Sequence, residues 1–106
     1  MSLTSLQKFT LLDAVSATGA GSAFSCERSK GWTFKILSAS VSTGGTVDIE
    51  AYIGGVWAVI HSEAVTANGT VVVRDDLGHY EKIRGNVSVR VDGTYSLHAT
   101  GSVDSL

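Results

Sequence analysis

Three histidines, His61, His79 and His98, are the side chains best suited to ligate a metal or move a proton. They lie far apart in sequence, and none belongs to a spaced ligand pair such as His-x-x-x-His. The doublet Asp75-Asp76 offers two carboxylates for calcium or for half of an acid–base pair. Calcium loops, however, place oxygen ligands at alternating positions and end in a committed acidic residue. Here Leu77, Gly78 and His79 follow, which reads as a corner-forming turn. The single cysteine, Cys26, has no histidine beside it and cannot close an intramolecular disulfide, so it reads as a small buried apolar side chain. No Gly-x-Ser-x-Gly elbow is present. The pairs Gly44-Gly45 and Gly54-Gly55 stand between strand-like segments and not ahead of a helix, so they do not read as phosphate loops. These residues predict no catalytic centre, no metal and no cofactor.

The aromatic residues offer binding chemistry instead, since Trp32, Trp57, Tyr52 and Tyr95 could build a platform on which sugars stack. Trp32 alternates with Phe34 and Ile36 and suits a core. If Val47, Ile49 and Ala51 face the core, Tyr52 points outward with Glu50, while Trp57 could join either face. An outward Trp57 beside Tyr52 would favour a glycan ligand; a buried or interface aromatic is the default reading.

The elements that must position these residues are strands. Phe9 to Val15 is apolar, 16–21 is a small-residue loop, and Ala23 to Glu27 is a short strand before the polar turn 28–31. Trp32 to Val41 alternates with a period of two. Gly44-Gly45 and Gly54-Gly55 then read as turns joining this strand, the strand around Val47 to Ala51, and Val56 to His61 into a meander of hairpins. Ala67-Asn68-Gly69 is a turn and Thr70 to Arg74 a strand. Tyr80 to Arg84 and Val87 to Val91 read as two further strands, and Asp92-Gly93 as a hairpin turn into Tyr95 to Ala99. The spacing Asp76-x-Gly78-x-Tyr80 suggests a tyrosine corner. The fold class is therefore all-β, an antiparallel β-sandwich of eight or nine short strands, with jelly-roll and immunoglobulin-like Greek keys both open. Residues 1–12 form a docking arm or an edge strand, 9–100 the single sandwich domain, and 101–106 a loose tail.

Composition narrows the partners. The 106 residues are 43% hydrophobic and 17% charged, with twelve glycines and no proline, enough for one core closed by tight glycine turns. Eight basic and ten acidic residues give a net charge of −2 with no basic run, which disfavours nucleic acid. No apolar run approaches the ~20 residues that span a bilayer. MSLTSLQKFTLLDAV lacks a basic start, a long apolar stretch and a small-residue cleavage site, so it reads as mature protein made in the cytoplasm. Without a secretion signal, Asn68-Gly69-Thr70 and Asn86-Val87-Ser88 read as chance glycosylation triplets.

The order LLDAVSATGAGSAFS, W-x-F-x-I, T-V-D-I-E-A-Y-I-G-G-V-W, V-T-A-N-G-T-V-V-V and G-H-Y-E-K-I-R-G-N-V-S-V-R-V resembles small β-sandwich virion proteins of tailed bacteriophages. The resemblance runs from Leu11 to about Thr100. It implies a non-enzymatic structural protein of the virion: a capsid decoration (cement) protein on the major capsid protein, at the capsid surface, as a homo-oligomer with a trimer favoured over a dimer. Its alternatives are a head–tail or tail accessory subunit and, from another class, a carbohydrate- or receptor-binding module. The resemblance marks no contact residues. Local reasoning selects Leu3, Leu6, Phe9 and Leu11 of the apolar leading segment, with Arg28, Lys30, Trp57 and Arg84 as further partner-binding candidates and Arg90 beside them.

Overall fold

Alternation decides which side chains are inside. Along the strand from Lys30 to Ala39, Trp32, Phe34 and Ile36 are buried while Thr33 and Lys35 are exposed. Along the next, Val47, Ile49 and Ala51 are buried on the opposing wall. In the computed structural model of the chain, which describes residues 3–105 and the side chains of 6–103, these walls are two antiparallel sheets. The strands are β1 (Leu3–Val15), β2 (Gly19–Ala20), β3 (Phe24–Ser25), β4 (Lys30–Ala39), β5 (Gly45–Ile53), β6 (Val56–Val65), β7 (Gly69–His79), β8 (Lys82–Arg90) and β9 (Thr94–Ser105). One sheet has the order β1-β9-β4-β7. The other has β2-β8-β5-β6, with β3 also on β8.

This order is that of a jelly roll. The chain pairs as one long hairpin whose tip is Gly54-Gly55: β5 with β6, β4 with β7, β2 and β3 with β8, and β1 with β9. Rolled up, successive pairs alternate between sheets and are stitched by β4 to β9 and β5 to β8. Counting β2 and β3 as one interrupted strand gives eight, so the jelly roll and not an immunoglobulin-like key is the sandwich that forms. Its core holds Leu11, Leu12, Trp32, Phe34, Ile36, Val47, Ile49, Ile83, Val87, Tyr95 and Leu97.

The expected meander is corrected by this order. Only Gly54-Gly55 makes a hairpin turn, with positive φ at both residues (60° and 84°) as a tight two-residue turn requires. Gly44-Gly45 instead carries the chain from one sheet to the other, because β4 pairs with β7 and β9 while β5 pairs with β6 and β8. Asp92-Gly93 likewise links β8 to β9 in different sheets, and 67–69 links β6 to β7. The two strands expected at 80–84 and 87–91 are one, β8. Residues 101–105, expected to be loose, continue β9 against β1, and the leading segment is an edge strand.

The two inter-sheet loops at 42–44 and 91–93 hold each other. The Asp92 carboxylate accepts hydrogen bonds from the backbone N–H of Ser42, Thr43 and Gly44 (3.2, 3.0 and 2.9 Å), and Val91 N–H donates to the Gly44 carbonyl at 2.9 Å. The buried Tyr95 hydroxyl donates to the Asp92 carbonyl at 2.7 Å, so the tyrosine corner sits here and not at Tyr80, whose hydroxyl donates to the Asp75 side chain. The amide donors of Thr43, then Gly44, hold the Asp92 carboxyl below its ordinary 3.8. A depressed folded-state pKa contributes stability that is present above 3.8 and lost as pH falls through the lower folded value. Thermal melts taken from neutral pH downward are therefore expected to show an acid-side loss of stability that Asp92→Asn flattens.

Candidate functional site

The outer face of the second sheet carries a polar–aromatic cluster built on cross-strand neighbours. Glu50 stands opposite Arg84 on β8 and Val59 on β6, and Tyr52 stands opposite Trp57. Arg84 Nε donates to Glu50 Oε1 at 2.6 Å and Asn86 Nδ2 donates to Glu50 Oε2 at 3.1 Å, which accounts for a carboxylate only 7% exposed on a central strand. The Arg84 guanidinium lies over the Trp57 ring, 4.2 Å from its centroid. Tyr52 meets Trp57 edge-on at 5.3 Å, and the Lys82 ammonium sits 5.3 Å from the centre of the Tyr52 ring. One row along, the Ser62 hydroxyl donates to Asp48 Oδ1 at 2.6 Å.

Trp57 and Tyr52 therefore point outward together, the arrangement a glycan platform needs. Cations already cover one face of each ring, however, and the carboxylates of Glu50 and Asp48 already accept from Arg84, Asn86 and Ser62. The cluster satisfies itself, as a strut between strands does.

Of the partner-binding candidates, the fold brings together Trp57 and Arg84. Leu11 is buried in the core, and Phe9, half-buried, packs against it on the rings of Phe24 and Trp32 with centroids 5.6 and 5.9 Å away. This corrects the view of the leading segment as an apolar contact strip: as an edge strand it sends alternate side chains inward. Leu6 is 63% exposed on the outer face of β1, and the Leu3 side chain lies outside those described. Arg28 is exposed in the turn before β4, and Lys30 opens β4 opposite Ser102 and His79. Arg90 Nε donates to the Gly93 carbonyl at 2.9 Å, which gives it a structural partner.

The histidines go to separate places. His98 lies on the outer face of the first sheet with Thr10 (3.3 Å), His61 pairs with Glu63 (2.9 Å), and His79 bonds the Glu27 carbonyl. Among the described residues no group of three or more His, Cys, Asp or Glu side chains is placed to hold a metal ion. Cys26 donates its thiol proton to the Tyr80 carbonyl (3.2 Å), and burial pushes the thiol up to about 11, far from a nucleophile's range. Burial and the bond to Asp75 likewise push Tyr80 up to about 12.

No family model matches the chain, and no curated protein matches its sequence. Solved structures do. The chain is similar to the SPBc2 prophage-derived protein YomS, with a TM-score of 0.63 and 16% identity over 94% of this chain and 95% of that one. It is also similar to PirA, with a TM-score of 0.50 and 14% identity over 92% of each. What is shared is the fold. Likeness at these identities places the chain among antiparallel β-sandwiches.

Proposed function

We propose that the protein is a non-enzymatic structural protein of a bacteriophage virion, and more narrowly a decoration protein that binds the major capsid protein lattice as a symmetric oligomer. The observation that carries the reading is the reciprocal, whole-length likeness to a prophage-derived protein, which matches the sandwich and little besides. The surface suits assembly. β6 and β7, ten and eleven residues long, end their sheets and offer unpaired backbone edges of the kind that self-association or lattice binding covers. Ile53 and Val56, paired at the β5–β6 hairpin, are 49 and 63% exposed, and Val59 is exposed on the outer face opposite Glu50. Repeated sites on a lattice multiply weak contacts of this sort into avidity.

Mixing the purified protein with particles of the virus that encodes it, before and after capsid expansion, tests the reading. A fixed number of copies sedimenting per capsid, with raised resistance to heat, is the expected result. Protein left in the supernatant at micromolar concentration overturns the decoration role, and recovery in tail fractions moves the protein to the accessory class.

A further inference from the structure

The outer face of the first sheet gathers cations that the sequence scatters. Register aligns two rows across its four strands: Thr10, His98, Lys35 and Val72 in one, Lys8, Thr100, Thr33 and Arg74 in the next. Both rows point away from the core, because the intervening Phe34, Ile36, Leu97 and Ala99 are buried. At about 4.8 Å between strands and about 6.8 Å between alternate residues, the eight positions cover a field of roughly 14 by 7 Å. Neither row contains an aspartate or glutamate. Lys35 and Arg74 are diagonal neighbours on adjacent strands, about 7–8 Å apart between Cα atoms, so one extended anionic patch can meet both. Between the rows runs a groove of about 470 Å³, lined in part by Lys8, Thr10, Thr33, Lys35 and His98.

We infer that this face docks an acidic, carboxylate-bearing protein surface. Ammonium and guanidinium groups supply the attraction, and the threonine hydroxyls supply hydrogen-bond donors to carboxylate oxygens. Compactness selects a protein patch over a long polyanion. Of the eight Lys and Arg residues three stand in the two rows, leaving 8 − 3 = 5 cations against ten acidic residues in the rest of the chain. A nucleic acid strand would run off the cationic field onto this net-negative remainder, and the rows hold no aromatic ring on which a base could stack. The inference rests on the virion reading only in naming the capsid lattice as the source of the acidic surface.

Binding of the intact protein to a short immobilised polyglutamate, tetra-L-glutamate of roughly 13 Å when extended and so no longer than the rows, with heparin and duplex DNA as parallel probes, tests it. Wild type is expected to bind polyglutamate at low salt and to weaken about tenfold or more as added salt shortens the screening length. Lys8→Gln with Lys35→Gln should remove most of that binding, while the charge-matched pair Arg28→Gln with Lys82→Gln should retain it. Both pairs lie at exposed positions, and thermal melts confirm that each variant is folded. Equal loss in the two pairs, no binding by wild type, or tighter binding to DNA or heparin overturns the assignment. On virus particles the two readings separate. Decoration by wild type and by Lys8→Gln/Lys35→Gln alike overturns the docking face alone, whereas polyglutamate binding without decoration overturns the virion reading alone.

Discussion

Alanine at Gly44 is expected to destabilise the protein by about 4 kcal/mol, the sum of a strained backbone and an overpacked contact. At φ 111° an L-residue is rarely accommodated, and a Cβ there would lie 1.8 Å from the Val65 carbonyl oxygen and 2.9 Å from its carbon. Both obstacles are backbone, and that backbone is held by the pairing of Gly45 with Val65. Gly44 also accepts and donates in the clamp with residues 91 and 92, so a shift to relieve the clash breaks bonds elsewhere. Alanine at Gly54 should be far milder, about 1 kcal/mol, since nothing lies within 4 Å of its Cβ and the strain of φ 60° is the whole cost. Urea denaturation of the two variants checks the contrast. Against a total stability on the order of 5–15 kcal/mol, Gly44→Ala should lose a large share of its midpoint. Equal, small effects at both positions would mean that 44–45 is an open turn after all.

That contrast also shows what was legible in the sequence. Two Gly-Gly pairs look alike as letters, and both read as hairpin turns. What separates them is a neighbour: Val65, twenty-one residues on, stands against one and nothing stands against the other. Period-two alternation correctly assigned the inward faces of β4 and β5 and the outward turn of Tyr52, because that period is a property of one strand. Strand order belongs to pairs of strands, so alternation within each strand does not separate a jelly roll from an immunoglobulin-like key. Gly85 falls between the two strands that the sequence suggests at 80–84 and 87–91. It lies inside β8, where a Cβ would press on Leu12 at 2.7 Å and Leu97 at 2.9 Å, so glycine there lets the first strand and the last close over the sheet. Gly101, read as the start of a loose tail, similarly admits the Trp32 ring to within 3.0 Å of its missing Cβ while β9 runs on. The cationic rows were hidden in the same way, since Lys8, Lys35 and Arg74 become neighbours only through β9 and β4.

Glu50→Ala gives the second large effect, and its sign bears on function. Glu50 accepts from both Arg84 and Asn86 at the centre of the second sheet's outer face, while Arg84 braces Trp57. Hydrogen bonds to charged groups contribute about 1.5–3 kcal/mol, and removing the carboxylate leaves a guanidinium only partly solvated, with its side chain 26% exposed. The expected loss is therefore about 2–3 kcal/mol. In a double-mutant cycle, Arg84→Ala should cost far less in the Glu50→Ala background than alone, because each substitution removes the other's partner. Side chains held in place for a ligand commonly carry strain that the fold must absorb, so replacing them leaves stability unchanged or improved. A strut behaves oppositely. Loss of stability with strong coupling would assign Glu50, Arg84 and Trp57 to bracing β5, β6 and β8 and leave Lys8, Lys35 and Arg74 as the face available to a partner. A gain would mean that the aromatic cluster is poised for a ligand, and the glycan reading of Tyr52 and Trp57 would take precedence.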